Sequence, residues 1–216
     1  MENEVSEINS VSNILTSKLK FASFFYKFFD LKLVGTEKER KIFTNIWYNI
    51  WLKEGYATPG ASILDKKKAY EKVSQDFLIK LLFIPIGTIR IIRANQEMGF
   101  PVINNFEIQK DFINEKTVEL SLFAIRKCFR LSHISTLISI KKIYKLLKME
   151  GITGFLAALD HRLYQFLKKR LRIPLQKIGK EKVYEGSLTY PVYLNLKEGE
   201  EFLKEKAYQI YQYFCK

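Results

Sequence analysis

The sequence predicts an α/β protein of the α+β type, with one mixed, largely antiparallel sheet flanked by helices. Three observations predict it. Strand-like and helix-like runs alternate along the 216 residues without an internal repeat. Pro85 and Gly87 punctuate two apolar runs, the signature of a hairpin. A hydrophobic content of 47%, with 14% aromatic, is enough to build a packed core.

The elements follow in order. Residues 1–22 read as a polar, then weakly helical, N-terminal extension, and 23–216 as a single domain. Phe24 to Val34 is aromatic and partly alternating, so it reads as a strand. Thr36 is an N-cap with Glu39 at capping-box spacing, and a helix runs from there to about Lys53. Its apolar side is Ile42, Phe43, Ile46, Trp47 and Ile50. Gly55 to Lys68, with Pro59, Gly60 and a lysine triplet, reads as a loop. Gln75 to Phe83 and Gly87 to Ala94 form the hairpin, turning at Pro85 and Gly87. Thr117 to Ile125 is a third strand. His133 to Lys148 is a helix with an apolar stripe of Leu137, Ile140, Tyr144 and Leu147, ended by Gly151. Ile152 to Leu159 is a short strand, and Asp160 caps a helix to about Leu171. Pro174 to Ile178 is a strand, Val183 to Leu196 a strand interrupted at Pro191, and Lys197 to Cys215 a C-terminal helix.

Composition narrows the function classes. No apolar run approaches the ~18 residues of a membrane span. The acidic Met1-Glu2-Asn3-Glu4 start lacks a secretory signature. Cys128 and Cys215 form no Cys-x-x-Cys, which argues for a reducing, cytoplasmic setting and against structural zinc. No metal-ligand pattern surrounds His133 or His161, and Cys128 reads as a small core residue. The formal charge is +13, and residues 126–182 carry fifteen Lys or Arg against three acids. Such a concentrated field attracts an acidic partner: nucleic acid, anionic lipid, a nucleotide phosphate or an acidic carrier protein.

Two strand residues carry the site argument. Gly87-Thr88-Ile89-Arg90 and Glu119-Leu120-Ser121-Leu122-Phe123-Ala124-Ile125 each place one charge in apolar surroundings. A buried charge must be paired or used. Arg90 and Glu119 are therefore either a structural ion pair with each other or working groups.

The order of elements and motifs resembles the GNAT fold, and within it the acyl-homoserine-lactone synthases and N-acyl amino acid synthases. The resemblance spans roughly residues 25–195. A helix at Arg40 to Trp51 leads into Gly55-Tyr56. Asp65, Tyr70-Glu71 and Ser74-Gln75-Asp76-Phe77-Leu78-Ile79 resemble the family's acid-rich segment and following strand. Gly87 and Arg90 match its Gly-x-x-Arg strand. Glu119 and Ser121 match its Glu-x-Ser-Arg strand, with Leu122 in place of Arg. Ile178-Gly179, Tyr184-Glu185-Gly186 and Pro191 resemble the final strand pair. Trp47 stands about where the homoserine-lactone synthases carry another Arg. A glycine-rich phosphate loop after the third strand is absent, and Arg126-Lys127-Cys128-Phe129-Arg130 stands there instead.

The resemblance implies acyl transfer from a thioester to a primary amine, without a bound cofactor. Glu119 would be the general base, with Arg90 as its partner or as an anchor for an acceptor carboxylate. Backbone N–H groups near Leu122 and Phe123 would hold the oxyanion. Strand alternation puts Glu119, Ser121, Phe123 and Ile125 on one face. Asp65 and Glu71 would bind the acceptor's polar head. Phe123, Ile125, Phe155 and Leu156 would line an acyl groove if the third and fourth strands splay. Arg126, Lys127, Arg130, Lys141, Lys142 and Lys145 would meet the donor, for which acyl carrier protein is favoured and acyl-coenzyme A is the alternative. The two missing arginines point to an amine other than that of the homoserine-lactone synthases, an amino acid being attractive. A nucleic-acid-binding module is the rival from another class, but no such signature accompanies the basic stretch. The aromatic run Phe21, Phe24, Phe25, Tyr26, Phe28 and Phe29 offers a transient membrane contact.

Overall fold

The computed structural model describes residues 2–58, 62–93, 99–108 and 113–216. Helix α1 (Glu2–Phe25) and a 3-10 turn precede strand β1 (Phe29–Leu33). The aromatic run expected as one strand thus divides. Phe21, Phe24, Phe25 and Phe28 recur at helical spacing and their rings meet, so the helix keeps them. Leu19 and Ala22 are buried in the same core as the strands.

Helix α2 (Glu37–Glu54) begins as expected. Thr36 Oγ1 accepts the Glu39 N–H at 3.2 Å, and Glu39 Oε2 accepts the Thr36 N–H at 3.2 Å. Within the expected loop lies a helix, α3 (Ser62–Lys68), while Pro59 and Gly60 fall outside the described residues. Strands β2 (Ser74–Leu81) and β3 (Ile84–Arg93) form the hairpin, but its turn is Leu82-Phe83 rather than Pro85 and Gly87. Gly87 lies inside β3, where a Cβ would stand 2.4 Å from the Ala124 carbonyl oxygen. It is required by close approach to the next strand, not by a turn.

Helix α4 (Pro101–Asn105) precedes β4 (Thr117–Ile125). Helix α5 (Ile134–Met149) leads to β5 (Gly154–Asp160), and Asp160 caps α6 (His161–Gln165) by accepting the Arg162 and Leu163 N–H groups. Strands β6 (Gln176–Lys177) and β7 (Lys182–Tyr184) both pair with β8 (Ser187–Asn195). Pro191 does not interrupt β8. The break lies at Glu185-Gly186, both with positive φ, which close a two-residue turn between β7 and β8. The expected C-terminal helix is two, α7 (Leu196–Lys206) and α8 (Tyr208–Cys215), divided at Ala207. Cys128 is exposed, not a core residue, because the chain leaves the sheet at Arg126 in a surface turn.

The sheet order is β1-β2-β3-β4-β5-β8-β6, with β7 on β8. Among the described residues only β4 and β5 pair in parallel, from Thr117–Gly154 to Leu120–Ala157. Beyond that β4 stays with β3 and β5 with β8, so the two strands part into a wedge. Helices α1, α5 and α8 pack against one face of the sheet, with α2 and α4 on the other.

Candidate active site

The wedge opens where β4 is irregular. Thr88 pairs with Ala124 and Arg90 with Ser121, so Leu122 and Phe123 together stand against Ile89. This is a β-bulge, with Leu122 at φ 52°. Thr88 Oγ1 donates to the Leu122 carbonyl at 2.8 Å and pins it. The bulge also breaks the expected alternation. Glu119 and Ser121 are followed on their face by Leu122 and Ala124, while Phe123 and Ile125 join Val118 and Leu120 in the core against α5.

Glu119 is 2% exposed and its Oε2 accepts the Val102 N–H at 2.9 Å. Burial pushes its pKa up to about 8; the Val102 N–H and Lys67 pull it down, and Glu185 pushes it further up. Its expected partner is engaged elsewhere. Arg90, 3% exposed, gives Nε and Nη2 to the two oxygens of Asp76, at 2.6 and 2.8 Å, and Nη1 to the Lys67 carbonyl. Register explains the correction: Asp76 sits directly opposite Arg90, whereas Glu119 lies opposite Ile92.

The groups that do accompany Glu119 come from α3, α4, β7 and the β7–β8 turn. Gly186, at φ 75°, packs so closely that a Cβ would stand 2.0 Å from the Gly55 carbonyl oxygen. That contact seats Tyr184 and Glu185 beside Trp51 and Tyr56. Lys67 Nζ pairs with Glu185 at 2.9 Å and lies 5.0 Å from the Trp51 ring centroid. Burial raises the Tyr184 pKa, with Glu185 and Glu119 adding to the shift. Asp65 and Glu71 are not among the groups around Glu119. Asp65 is exposed on α3, and Glu71 faces Arg40 at 3.5 Å. Asp76, Tyr184 and Glu185 stand in segments that carry the family resemblance, but no site role is expected for them from the sequence, and Lys67 gives no signal there beyond its charge.

From Glu119 a cavity of about 210 Å³ runs through the wedge to the other side of the sheet. Ser121, Leu122 and Phe123 line one wall, and Phe155, Ala158 and Asp160 another. Deeper, it meets Ile140, Ile143 and Leu147 of α5, Leu163 and Leu167, and ends near Tyr144, Glu200, Phe214 and Cys215. Tyr144 donates to Glu200 at 2.5 Å, and Lys148 pairs with the same carboxylate. Of the expected apolar lining, Phe123 and Phe155 border this space. Ile125 and Leu156 do not, being packed in two separate core clusters.

The positions where the family resemblance called for arginines hold an apolar cluster. Trp47 and Leu122 are both buried and pack with Phe43, Ile46, Leu78 and Ala124. The basic residues separate into two groups. Arg126 and Lys127 are exposed just beyond β4, and Arg130 pairs with Glu54 at 2.9 Å. Glu54 also holds Arg162 at 3.2 Å, so two arginines from opposite sides of the wedge meet on one carboxylate. Lys142 and Lys145, by contrast, lie on the Tyr26 ring, and Lys141 is buried between Tyr26 and Tyr213. Desolvation lowers the Lys141 pKa. These lysines face away from the side of α5 that lines the cavity.

No family model and no curated protein sequence matches the chain. Solved structures do. FeeM, an N-acyl amino acid synthase from uncultured soil microbes, superposes with a TM-score of 0.62 at 17% identity, over 82% of this chain and 98% of that one. The acyl-homoserine-lactone synthase LasI gives 0.59 at 16% identity, over 78% and 90%. BjaI, a coenzyme A-dependent acyl-homoserine-lactone synthase solved with SAM and isopentyl-CoA, gives 0.57 at 10% identity, over 81% and 88%. The chain has the GNAT-like α/β fold of these proteins.

Proposed function

We propose that the protein is an N-acyltransferase that moves an acyl chain from a thioester to a primary amine. The observation that supports this best is a buried carboxyl, Glu119, at the head of an apolar cavity that opens where β4 and β5 part. A carboxyl with a pKa raised to about 8 is poised to take a proton near neutral pH. The amine nitrogen attacks the thioester carbonyl carbon, and Glu119, directly or through a water, accepts the proton that the amine loses. The carbonyl oxygen becomes an oxyanion beside the bulge, where an extra residue is freed from the strand ladder and its N–H can be aimed at that charge. Collapse re-forms the C=O bond, breaks the C–S bond and passes the proton on to the departing sulfur. The products are an N-acyl amide and a free thiol.

The acceptor we propose is an amino acid. Lys67 and Glu185 offer one cation and one carboxylate within reach of Glu119, complementary to an amino acid's own carboxylate and ammonium. Arg90, its fork filled by Asp76, acts as a positioning residue behind Ser121. The apolar packing of Trp47 and Leu122 disfavours the acceptor site of a homoserine-lactone synthase. For the donor, Arg126, Lys127, Arg130 and Arg162 at the mouth of the wedge favour an acidic acyl carrier protein. Coenzyme A is the second reading, supported by the coenzyme A-dependent enzyme among the structural neighbours.

Incubating the protein with acyl-loaded carrier protein or acyl-coenzyme A, each against a pool of amino acids and amines, and reading N-acyl products by mass spectrometry, tests the proposal. Product is expected from the carrier-bound donor with an amino acid acceptor. No product from either donor overturns the enzymatic reading.

A further inference from the structure

A second surface lies at the end of the sheet where the β2–β3 hairpin turns. Its tip is Leu82-Phe83, with Leu82 57% and Phe83 78% exposed and Ile84 exposed next to them. The tip is joined to the end of α1, because the Leu82 N–H donates to the Phe28 carbonyl at 2.6 Å. Phe24 is 64% exposed, and its ring lies 6.5 Å from that of Phe28. Phe21, also exposed, continues the strip one turn back along α1. The apolar surface is therefore continuous from helix to hairpin, and the hairpin tip makes it project rather than form a groove.

Its charge is predominantly positive. Residues 14–29 and 77–93 contain no Asp or Glu. Lys20 is exposed on the same side of α1 as Phe21 and Phe24, and Lys27 stretches its ammonium over the rings of Phe24 and Phe28, at 5.7 and 5.1 Å. Arg126 is tied to this end of the sheet through its N–H, which donates to the Ile86 carbonyl. Asp30, on β1, is the nearby acid.

The turn carries a further mark. Leu82 sits at φ 56°, a conformation that Gly or Asn adopts without strain and Leu does not. A two-residue turn of Gly-Asn type would close the same hairpin more comfortably and with less apolar exposure. A strained, projecting Leu-Phe pair is a cost to the isolated fold that a binding partner can offset.

We infer that this face docks the protein on an anionic lipid bilayer. Leu82, Phe83 and Phe24 enter the acyl boundary, and Lys20 and Lys27 meet lipid phosphates at headgroup depth. A projecting aromatic tip ringed by flexible cations suits a deformable interface; an acidic protein partner would need a matching hollow. None of Leu82, Phe83, Phe24, Lys20 and Lys27 lines the cavity.

The test is co-sedimentation of the full chain with vesicles of equal parts phosphatidylglycerol and phosphatidylcholine, and with pure phosphatidylcholine, at low and high salt. The protein is expected to sediment with the anionic vesicles at least about tenfold more strongly than with neutral ones, and to be released by salt. The double variant Leu82→Gly/Phe83→Asn is expected to lose at least about tenfold in vesicle affinity while melting at or above the wild-type temperature. Lys20→Glu/Lys27→Glu is expected to abolish the preference for anionic lipid. The inference is overturned by wild-type protein that ignores anionic vesicles, by either variant binding them as tightly as wild type, or by sedimentation velocity showing a stable dimer that Leu82→Gly/Phe83→Asn dissolves.

Discussion

Arg90 and Asp76 face each other across β2 and β3 and close a two-point ion pair in the interior, 3% and 7% exposed respectively. The guanidinium's third nitrogen holds the Lys67 carbonyl, so the pair also fixes the end of α3 that carries the Lys67 ammonium toward Glu185. Asp76→Asn leaves a buried cation without its carboxylate and is expected to lower stability by about 3–5 kcal/mol in urea unfolding. Arg90→Met/Asp76→Leu, which removes both charges, is expected to recover most of that loss. If the single and double variants are equally unstable, the pair is not what the fold depends on here.

Glu119 gives a pH signature of its own. Its folded pKa, about 8, lies above the ordinary value of 4.5, so its favourable contribution is present below 4.5 and is lost as the pH rises through 8. The Glu119→Gln protein is therefore expected to be relatively more stable than wild type at pH 9 than at pH 5 (~4 pH units apart), read from paired thermal melts. Acyl transfer should rise with pH toward a plateau above about 8 in the wild type. Gln at this position should cost about 10²–10⁴-fold in rate and remove that rise. An unchanged rate would discard Glu119 as the base.

Ile143 lines the deep part of the cavity. Ile143→Phe is expected to lower kcat/KM for a long-chain donor by more than about tenfold while sparing a butanoyl donor, since each excluded methylene carries about 1–3 kcal/mol of discrimination. Equal losses for both donors would mean that the chain lies elsewhere.

Gly186 connects stability to the acceptor side. Gly186→Ala places a Cβ against the Gly55 carbonyl in a left-handed turn, and is expected to cost roughly 1–3 kcal/mol. Because the turn seats Tyr184 and Glu185, the acceptor KM should rise more than the donor KM in steady-state kinetics.

Much of this was legible along the chain. Thr36 and Glu39 announce α2, Asp160 announces α6, and β4 begins and ends where its apolar run does. The misplacements have physical causes. Pro85 and Gly87 resemble turn residues, yet Gly87 answers to β4, a neighbour that sequence does not place beside it. The bulge at Leu122-Phe123 uses ordinary strand formers, so nothing in the alternation signals the change of face. The choice of Asp76 over Glu119 as partner of Arg90 depends on register, which a single strand does not carry. Lys67, on α3, and Glu185, in the β7–β8 turn, are far apart in sequence and meet only in the folded chain. Composition could mark both as polar, but could not bring them together.

The β4–β5 seam has a mechanical consequence. Strands β1–β4 and β5–β8 are joined within the sheet by the short register from Thr117–Gly154 to Leu120–Ala157. A molecule filling the wedge touches both halves beyond the last of those pairs and acts as a staple across the seam. Amide protons on β4 and β5 should therefore slow their exchange together when a substrate is in place, even those that it never touches.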